Sequence, residues 1–242
     1  MTKATWAALA LLATVVSGCA SRHEAWRDAG GAQIGTVEVR SLDGGGEERR
    51  YTDTATRLRR IERRDAADQC PEGICAIVFA YDDGGARRER RYEAADGALV
   101  NSADGYALTR YERTADQMTC TFISASGDAA ARGDAAHRII LHPTAPAGRN
   151  ERTEYRGLSD EILRVRVERY RDQRLVEVRF ETPDGKPSPG RFRGETVAAV
   201  RYDYVKGVND IDLVAEHYLS PEGPTLKTLF YKGATPAEDP CT

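Results

Sequence analysis

The stretch "ILRVRVERYRDQRLVEVRFETPDG", residues 162–185, alternates charged and apolar side chains on both sides of a short polar break. Val165 and Val167 are separated by a charged residue, and Val178 and Phe180 repeat this spacing after the break. A period of two predicts strands, because successive side chains of a strand point to opposite faces. We therefore predict a β-hairpin in which these apolar residues face the core and the arginines and glutamates face solvent.

The same pattern of charged strand, polar spacer and apolar strand occurs in three other places. These copies begin with "RIERRDAADQ" (60–69), "RYERTADQ" (110–117) and the looser "RYDYVKGVND" (201–210). Four hairpins of this kind predict an all-β, mainly antiparallel fold, in which a hairpin meander forms an open curved sheet or a barrel-like sheet. Each hairpin is expected to end in a glycine turn. The turn glycines are Gly84, Gly127, Gly185 and Gly223.

The N-terminus has one charge, Lys3, and then an uncharged run over residues 7–16. This run is about ten residues long, whereas roughly twenty are needed to cross a bilayer, so it is typical of a signal sequence. The residues that follow, Val16-Ser17-Gly18-Cys19, resemble the lipobox of bacterial lipoproteins, with valine where leucine is commoner. The open alternative is an ordinary secretory signal with a chance cysteine.

The lipoprotein resemblance implies cleavage before Cys19, loss of the signal peptide 1–18, and acyl chains on the cysteine. Several chains together anchor a protein firmly, because each buried methylene contributes about 0.8 kcal/mol. No aspartate follows Cys19, so the family's sorting rule implies the outer membrane, with the protein facing the periplasm. We predict a flexible tether over residues 19–33 and a single β domain of about four hairpin repeats over residues 34–242.

The composition is that of a folded domain rather than of a disordered tail. Apolar residues make up 40% of the chain and charged residues 30%, and the formal net charge is -3. A nearly neutral surface provides no field for nucleic acid, so we predict no nucleic-acid partner. The predicted partners are the membrane, through the lipid on Cys19, and an envelope protein or an anionic envelope polymer.

Four cysteines remain once Cys19 is assigned to lipid, and an even number in an oxidising compartment predicts disulfides. In "CPEGIC", Pro71 fits a tight turn and Gly73 can adopt positive φ. This favours a Cys70–Cys75 bond, which leaves Cys120 to pair with Cys241. Four cysteines allow three pairings, and a redox-active thiol pair or a zinc site are the alternatives, although the spacing is not Cys-x-x-Cys.

Arginines cluster in "RLRRIERR" (57–64) and "RRERR" (87–91), which predicts a candidate patch for an anionic partner. The alternative is a solvated face whose charge is offset by nearby glutamates. No phosphate loop, serine elbow or metalloprotease motif is present, so we predict no catalytic residue, metal or cofactor. The residues of the candidate patch are Arg57, Arg59, Arg60, Arg63, Arg64, Arg87, Arg88, Arg90 and Arg91.

Two stretches, "YEAADGALVNSADGYALTRYE" (92–112) and "FETPDGKPSP" (180–189), resemble degenerate bacterial YD-type and MORN-like hairpin repeats. The resemblance implies antiparallel meanders used in binding and scaffolding rather than in catalysis. We therefore expect a binding or structural module that is not an enzyme. The alternatives are a lipid or lipoprotein carrier with an apolar cavity in a curled sheet, and an envelope-polymer hydrolase whose site is not recognisable in the sequence.

Overall fold

The computed structural model describes residues 21–144, 149–171, 174–205 and 213–232. Within these ranges the chain forms one fifteen-stranded sheet and a separate two-stranded ribbon. The first and last strands of the large sheet lie at its two edges and do not close it into a barrel. The predicted all-β, mainly antiparallel fold is therefore confirmed, in its open form.

The strands follow one another through the sheet in chain order, except that β13 and β14 form the separate ribbon. A short 3₁₀ turn, Pro71–Gly73, lies between β4 and β5. The strands are β1 Ser21–Arg27, β2 Gln33–Ser41, β3 Glu47–Asp53, β4 Leu58–Arg64, β5 Ala76–Tyr81, β6 Arg87–Glu93, β7 Leu108–Arg113, β8 Met118–Ile123, β9 Arg138–Thr144, β10 Arg149–Arg156, β11 Ile162–Arg171, β12 Arg174–Glu181, β13 Gly190–Phe192, β14 Glu195–Val197, β15 Ala199–Val205, β16 Leu213–Leu219 and β17 Thr225–Lys232.

The four charged stretches are the first strands of four hairpins, as predicted. The pairs β4–β5, β7–β8, β11–β12 and β15–β16 are each antiparallel neighbours. The connections between the hairpins are also antiparallel, so the whole sheet is a meander. The recurring arginines and glutamates are therefore part of a repeated structural element and do not converge on one point of the fold.

One turn geometry recurs in the described chain. The N–H of its first residue donates to the carbonyl of its fifth, and the N–H of its fourth donates back to the carbonyl of its first. The fourth residue always has positive φ, which is the pattern of a type I turn followed by a left-handed bulge residue. Gly127, Gly185 and Gly223 hold this position as predicted, whereas next to Gly84 it is Gly85 that does so. The twelve turns begin at Asp28, Leu42, Asp53, Asp65, Asp82, Ala94, Ser102, Ser124, Arg132, Gly157, Thr182 and Ser220.

One face of the sheet, here called the aromatic face, carries Tyr92, Phe122, Tyr155, Phe180 and Tyr218. The strand register places these five residues on the same side. The last four are almost completely buried, and Tyr92 packs against the same cluster. Burial of a large aromatic side chain stabilises the fold by about 1.5–3 kcal/mol, so this face holds most of the apolar core.

The face assignment within the hairpin β11–β12 was wrong. Arg166 lies opposite Phe180 and Val167 lies opposite Arg179, so the aliphatic residues of the two strands point to different faces. Arg166 is buried on the aromatic face, with its guanidinium 5.4 Å from the ring centroid of Phe192. The long aliphatic stem of arginine packs against apolar neighbours and its charged end stacks on a ring, so it is tolerated where we expected an aliphatic residue.

The prediction of a flexible tether over residues 19–33 was wrong for Ser21–Arg27. These residues form β1, which pairs with β2 along its whole length. Trp26 packs edge-on against Tyr51, with ring centroids 5.6 Å apart. Gly35 makes room for this contact, because a Cβ there would lie 2.9 Å from the Trp26 ring and 2.0 Å from a backbone oxygen. The domain therefore starts before residue 34.

A second repeat, which we did not predict, joins β6 to β7, β8 to β9 and β12 to β15. In each copy an aromatic residue, Tyr92, Phe122 or Phe180, has its carbonyl bonded to the N–H of the residue eight positions later. Its own N–H donates to the carbonyl of the residue just before the next strand, so the intervening segment folds back over the aromatic face. These segments cover the core that a single sheet layer would otherwise leave exposed. In chain order, the three aromatic N–H groups donate to the carbonyls of Ala107, His137 and Ala198. The three aromatic carbonyls accept from the N–H groups of Val100, Ala130 and Ser188.

Candidate functional site

The nine predicted arginines lie on or beside two strands that are not neighbours, since β5 separates β4 from β6. Arg60 and Arg91 share a row through Val78 on the face opposite the aromatic face. Arg63 and Arg90 point to the aromatic face, because side chains alternate along each strand. The register therefore divides the candidate patch between the two faces of the sheet.

Most of these arginines have an acidic or aromatic partner. Arg63 Nε donates to Glu48 Oε2 over 2.6 Å, and Arg90 Nη2 donates to the Tyr106 hydroxyl over 2.6 Å. Burial raises the pKa of Glu48, but hydrogen bonds from Arg50 and Arg63 outweigh it and hold that pKa below its ordinary value. Anion binding by the patch stays a prediction. The other neighbours are Asp53 for Arg57 and Arg59, Glu62 and Glu93 for Arg60, Asp68 for Arg64, Phe79 and Tyr111 for Arg87, and Glu93 for Arg91, while Arg88 is exposed.

Buried ion pairs are stacked against rings on the aromatic face. Arg132 lies over Phe122 and Arg164 lies over Tyr155, at 5.4 and 4.5 Å from the ring centroids. Asp134 bonds to both guanidinium groups. Burial raises the pKa of Asp134, but Arg132 and Arg164 lower it more, so that the carboxylate stays charged. The Asp134 carboxylate is therefore paired within the protein, and the network acts as a structural cross-link between a turn and the sheet.

A cleft of about 370 Å³ opens on the aromatic face near the N-terminal third of the sheet. Its floor contains Ile61, Ile77 and Tyr92, which the register aligns in one row across β4, β5 and β6. One wall is the loop 71–75 and the other is the turn at 102–104. An apolar floor with a few charged groups around it is the usual composition of a binding site. The charged residues of the lining are Arg63, Glu72 and Asp104.

The loop beside this cleft is closed by the predicted Cys70–Cys75 bond, whose Cα atoms are 4.6 Å apart. Gly73 has positive φ as predicted, and Glu72 before it also does, so two consecutive left-handed residues reverse the chain. Arg64 Nη1 lies 3.2 Å from Cys75 Sγ and also contacts Cys70 Sγ. We predicted the bond from "CPEGIC", but nothing in the spacing indicated that Arg64 would reach both sulfur atoms.

Of the two described histidines that contact a carboxylate, His217 has the shorter distance, since His142 Nε2 lies 3.6 Å from Glu154 Oε1. His217 Nε2 lies 3.0 Å from Asp203 Oδ2 and its Nδ1 lies 3.1 Å from Thr228 Oγ1, across three neighbouring strands. Asp203 is 73% exposed, so solvent screens its charge and the arrangement is a surface chain of hydrogen bonds. Among the described residues, no group of three or more His, Cys, Asp and Glu side chains could hold a metal ion.

The predicted lipid site and one predicted disulfide depend on cysteines that lie outside the described residues. Cys19 and the signal peptide 1–18 lie outside the described residues, so lipid attachment stays a prediction. Cys120 is disulfide-bonded. Its predicted partner, Cys241, also lies outside the described residues, so that pairing stays a prediction as well.

The sequence was compared with protein-family models and with curated proteins. No protein-family model matches the chain, and no curated protein matches it. The described ranges contain no helix with the length and apolar character that a membrane crossing requires. An all-β fold alone does not define a function, because unrelated functions share folds. The function is therefore inferred from the N-terminal motif, the cystine and the cleft.

Proposed function

We propose that this protein is a lipid-anchored envelope lipoprotein of the outer membrane that faces the periplasm and acts as a binding or structural module. The observation that carries the proposal is the N-terminal motif Val16-Ser17-Gly18-Cys19. The position of β1 indicates what an anchor on Cys19 would do. This edge strand begins at Ser21, two residues after Cys19. Two extended residues span at most about 7 Å. Acyl chains on Cys19 would therefore hold the edge of the sheet at the membrane surface instead of on a long tether.

The extent of the sheet supports a structural role. Its fifteen strands run in order from β1 at one edge to β17 at the other. With neighbouring strands about 4.8 Å apart, the sheet is roughly 65 Å wide. A module of this width, held at β1, would present its later strands well beyond the lipid headgroups.

The cystines support an extracytoplasmic compartment. Cys70 is bonded to Cys75, and Cys120 is also disulfide-bonded. Disulfides persist in oxidising spaces such as the periplasm and are rare in the cytosol. The same reasoning agrees with a signal peptide at residues 1–18, since that peptide would export the chain to such a space.

The cleft over Ile61, Ile77 and Tyr92 supports binding. Its open form and charged lining suit a side chain or short segment of an envelope protein or polymer. A lipid carrier would need an enclosed apolar cavity, whereas aromatic side chains such as Phe122 and Phe180 fill the aromatic face. A hydrolase would need a carboxylate that is free to act with a histidine. The buried Glu154, 3.6 Å from His142, already accepts hydrogen bonds from Arg152 and Arg156, and Asp203 beside His217 is exposed. The binding module is therefore the better supported function.

The anchor is tested by separating membranes from soluble periplasm in cells that express the Cys19→Ala variant. We expect the variant in the soluble fraction and the wild type in the membrane fraction. Val16→Leu is the matched control, since it brings the motif closer to the commonest lipobox and should leave the protein in the membrane. Membrane retention of Cys19→Ala after a high-salt wash would contradict the anchor.

Binding is tested by in-cell photo-crosslinking. A photoreactive residue at Ala103, which is exposed on the wall of the cleft, is compared with one at Arg110, which is exposed on the opposite face. We expect Ala103 to capture one envelope partner that Arg110 does not capture. Identical adducts from both positions, or none from Ala103, would count against the cleft as the binding site. Copurified lipid in native mass spectrometry would favour the carrier instead.

A further inference from the structure

The cystine Cys70–Cys75 has a cation directly beside it. Arg64 Nη1 is 3.2 Å from Cys75 Sγ and contacts Cys70 Sγ as well. A guanidinium next to a sulfur atom favours the thiolate over the thiol, which is how reactive cysteines are activated in many proteins. A cystine that serves only as a cross-link does not need such a neighbour.

Among the described residues, the one ion pair of Arg64 is long and exposed to solvent. The distance from its Nε to Asp68 Oδ1 is 4.0 Å, and Asp68 is 92% exposed. The preceding arginine provides a contrast, since Arg63 Nε donates over 2.6 Å to Glu48, which is almost fully buried. The charge of Arg63 is therefore neutralised by its partner, whereas the charge of Arg64 acts mainly on the two sulfur atoms.

The two cysteines differ in their access to solvent. Cys75 is only 4% exposed, because it lies directly before β5 and donates its N–H to the carbonyl of Glu93. Cys70 is half-buried, and the residues that follow it, Pro71–Gly73, are exposed. An external thiol therefore reaches Cys70 more readily than Cys75.

We propose that Cys70–Cys75 is a site of thiol–disulfide exchange, whose reaction partner is a dithiol such as the reduced form of a protein oxidoreductase. A thiolate of the dithiol attacks Cys70 Sγ, which breaks the S–S bond and releases Cys75 as a thiolate that Arg64 stabilises. The second thiol of the dithiol then displaces Cys70. Two electrons pass from the dithiol to the cystine, which leaves two reduced cysteines here and a disulfide on the partner.

The rate of exchange depends on how well the departing thiolate is stabilised. Removal of the Arg64 charge is therefore expected to slow reduction by roughly 3–10-fold. This proposal does not depend on the lipid anchor, since it requires only that a dithiol reaches the loop. Its failure would leave the proposed function as it stands.

The test is timed reduction of the detergent-purified full-length mature protein by dithiothreitol, followed by acid quenching, alkylation and peptide mass spectrometry. In the wild type, Cys70 and Cys75 should become alkylated well before Cys120, whose disulfide is the internal reference. Arg64→Met should slow the reduction of this pair and Arg64→Lys should retain most of the rate. The matched control is Arg110→Met, which makes the same charge change at an exposed arginine of β7 and should not change the rate.

Equal rates for Arg64→Met and Arg110→Met would overturn the proposal, as would reduction of the Cys120 disulfide at the same rate as the pair. A second measurement needs no variant. Incubation of the wild type with a glutathione redox buffer should give a mixed disulfide on Cys70, because it is the accessible sulfur. A mixed disulfide found mainly on Cys75 would show that the direction of attack is wrong.

Discussion

Individual charged residues are buried in this sheet only where they have a partner. Glu216 is fully buried on the aromatic face and accepts two hydrogen bonds from Arg193, at 2.8 and 3.0 Å. Tyr218 also donates its hydroxyl to this carboxylate. Arg193 lies in the turn between β13 and β14, so the ion pair fastens the two-stranded ribbon onto the large sheet.

We expect Arg193→Met to lower the free energy of unfolding by about 3–5 kcal/mol, because it leaves a buried carboxylate without its cation. The matched control is Arg191→Met on β13, where the arginine is 62% exposed and 3.8 Å from Asp104. That change should cost less than about 1 kcal/mol. Urea unfolding measures both, and an equal loss for the two variants would contradict a specific role for the Arg193–Glu216 pair.

Asp53 illustrates how a turn residue makes stability depend on pH. Desolvation raises its pKa, but the backbone N–H of Arg57 and the guanidinium groups of Arg59 and Arg57 outweigh this and lower the pKa to about 2. The folded pKa lies below the unfolded one, so the charged carboxylate stabilises the fold above about pH 4. This contribution is lost as the pH falls towards 2.

The Asp53→Asn variant should therefore be less stable than the wild type at pH 7, and the difference should shrink between about pH 4 and pH 2. Thermal unfolding of both proteins over this pH range measures the difference directly. A stability difference that stays constant from pH 7 to pH 2 would contradict the role given to the Asp53 carboxylate.

At the scale of the element, the recurring turn places one residue in the left-handed region. Gly127 holds this position, and a Cβ there would have no neighbouring atom within 4 Å, so only the backbone conformation opposes a side chain. Ala135 holds the equivalent position in the next turn with φ of 66°. These two turns therefore provide a matched pair in which glycine and alanine can be exchanged.

We expect Gly127→Ala to lower the free energy of unfolding by about 1–2 kcal/mol, since an L-residue is strained at positive φ. Ala135→Gly should raise it by up to about 1 kcal/mol, because it relieves the same strain. Urea unfolding of the two variants is the measurement. Changes of the same sign in both would contradict the left-handed turn geometry.

The hairpins could be predicted from the sequence because alternation and turn glycines are local signals. The face that each strand presents could not, because it depends on the register between strands. Arg166 lies opposite Phe180 on the aromatic face, and a register shift of one residue would place a valine there instead. Likewise, residues 21–27 are mostly charged or polar. They form β1 because they pair with the edge of β2 and because Trp26 packs against Tyr51.

The cleft was only partly predictable for a similar reason. Arg63 and Cys75 stood out in the sequence, whereas Ile61, Ile77 and Tyr92 meet only because three strands align. The turn at 102–104 forms the other wall because it belongs to the second repeat, the segment that joins β6 to β7. The sequence signal of this repeat is an aromatic residue followed by two turns at a fixed spacing. That spacing recurs after Tyr92 and Phe122 and could have been read in advance.

At the scale of the whole molecule, the sheet has two edges with different chemistry. β1 is mostly charged or polar and lies next to the predicted lipid site, so the membrane would shield it from edge-to-edge pairing. β17 carries Leu226 and Phe230, which are 57% and 68% exposed. With the proposed anchor on Cys19, the charged edge would lie at the membrane and the more apolar edge would lie at the other end of the sheet.

The proposed lipid anchor can be checked by the intact mass of the protein extracted from cell membranes, followed by fragmentation of its N-terminal peptide. We expect a chain that begins at Cys19, lacks residues 1–18, and carries a diacylglyceryl group on the sulfur and an acyl chain on the amine. A chain that begins elsewhere, or an unmodified Cys19, would contradict the lipid anchor at the edge of the sheet.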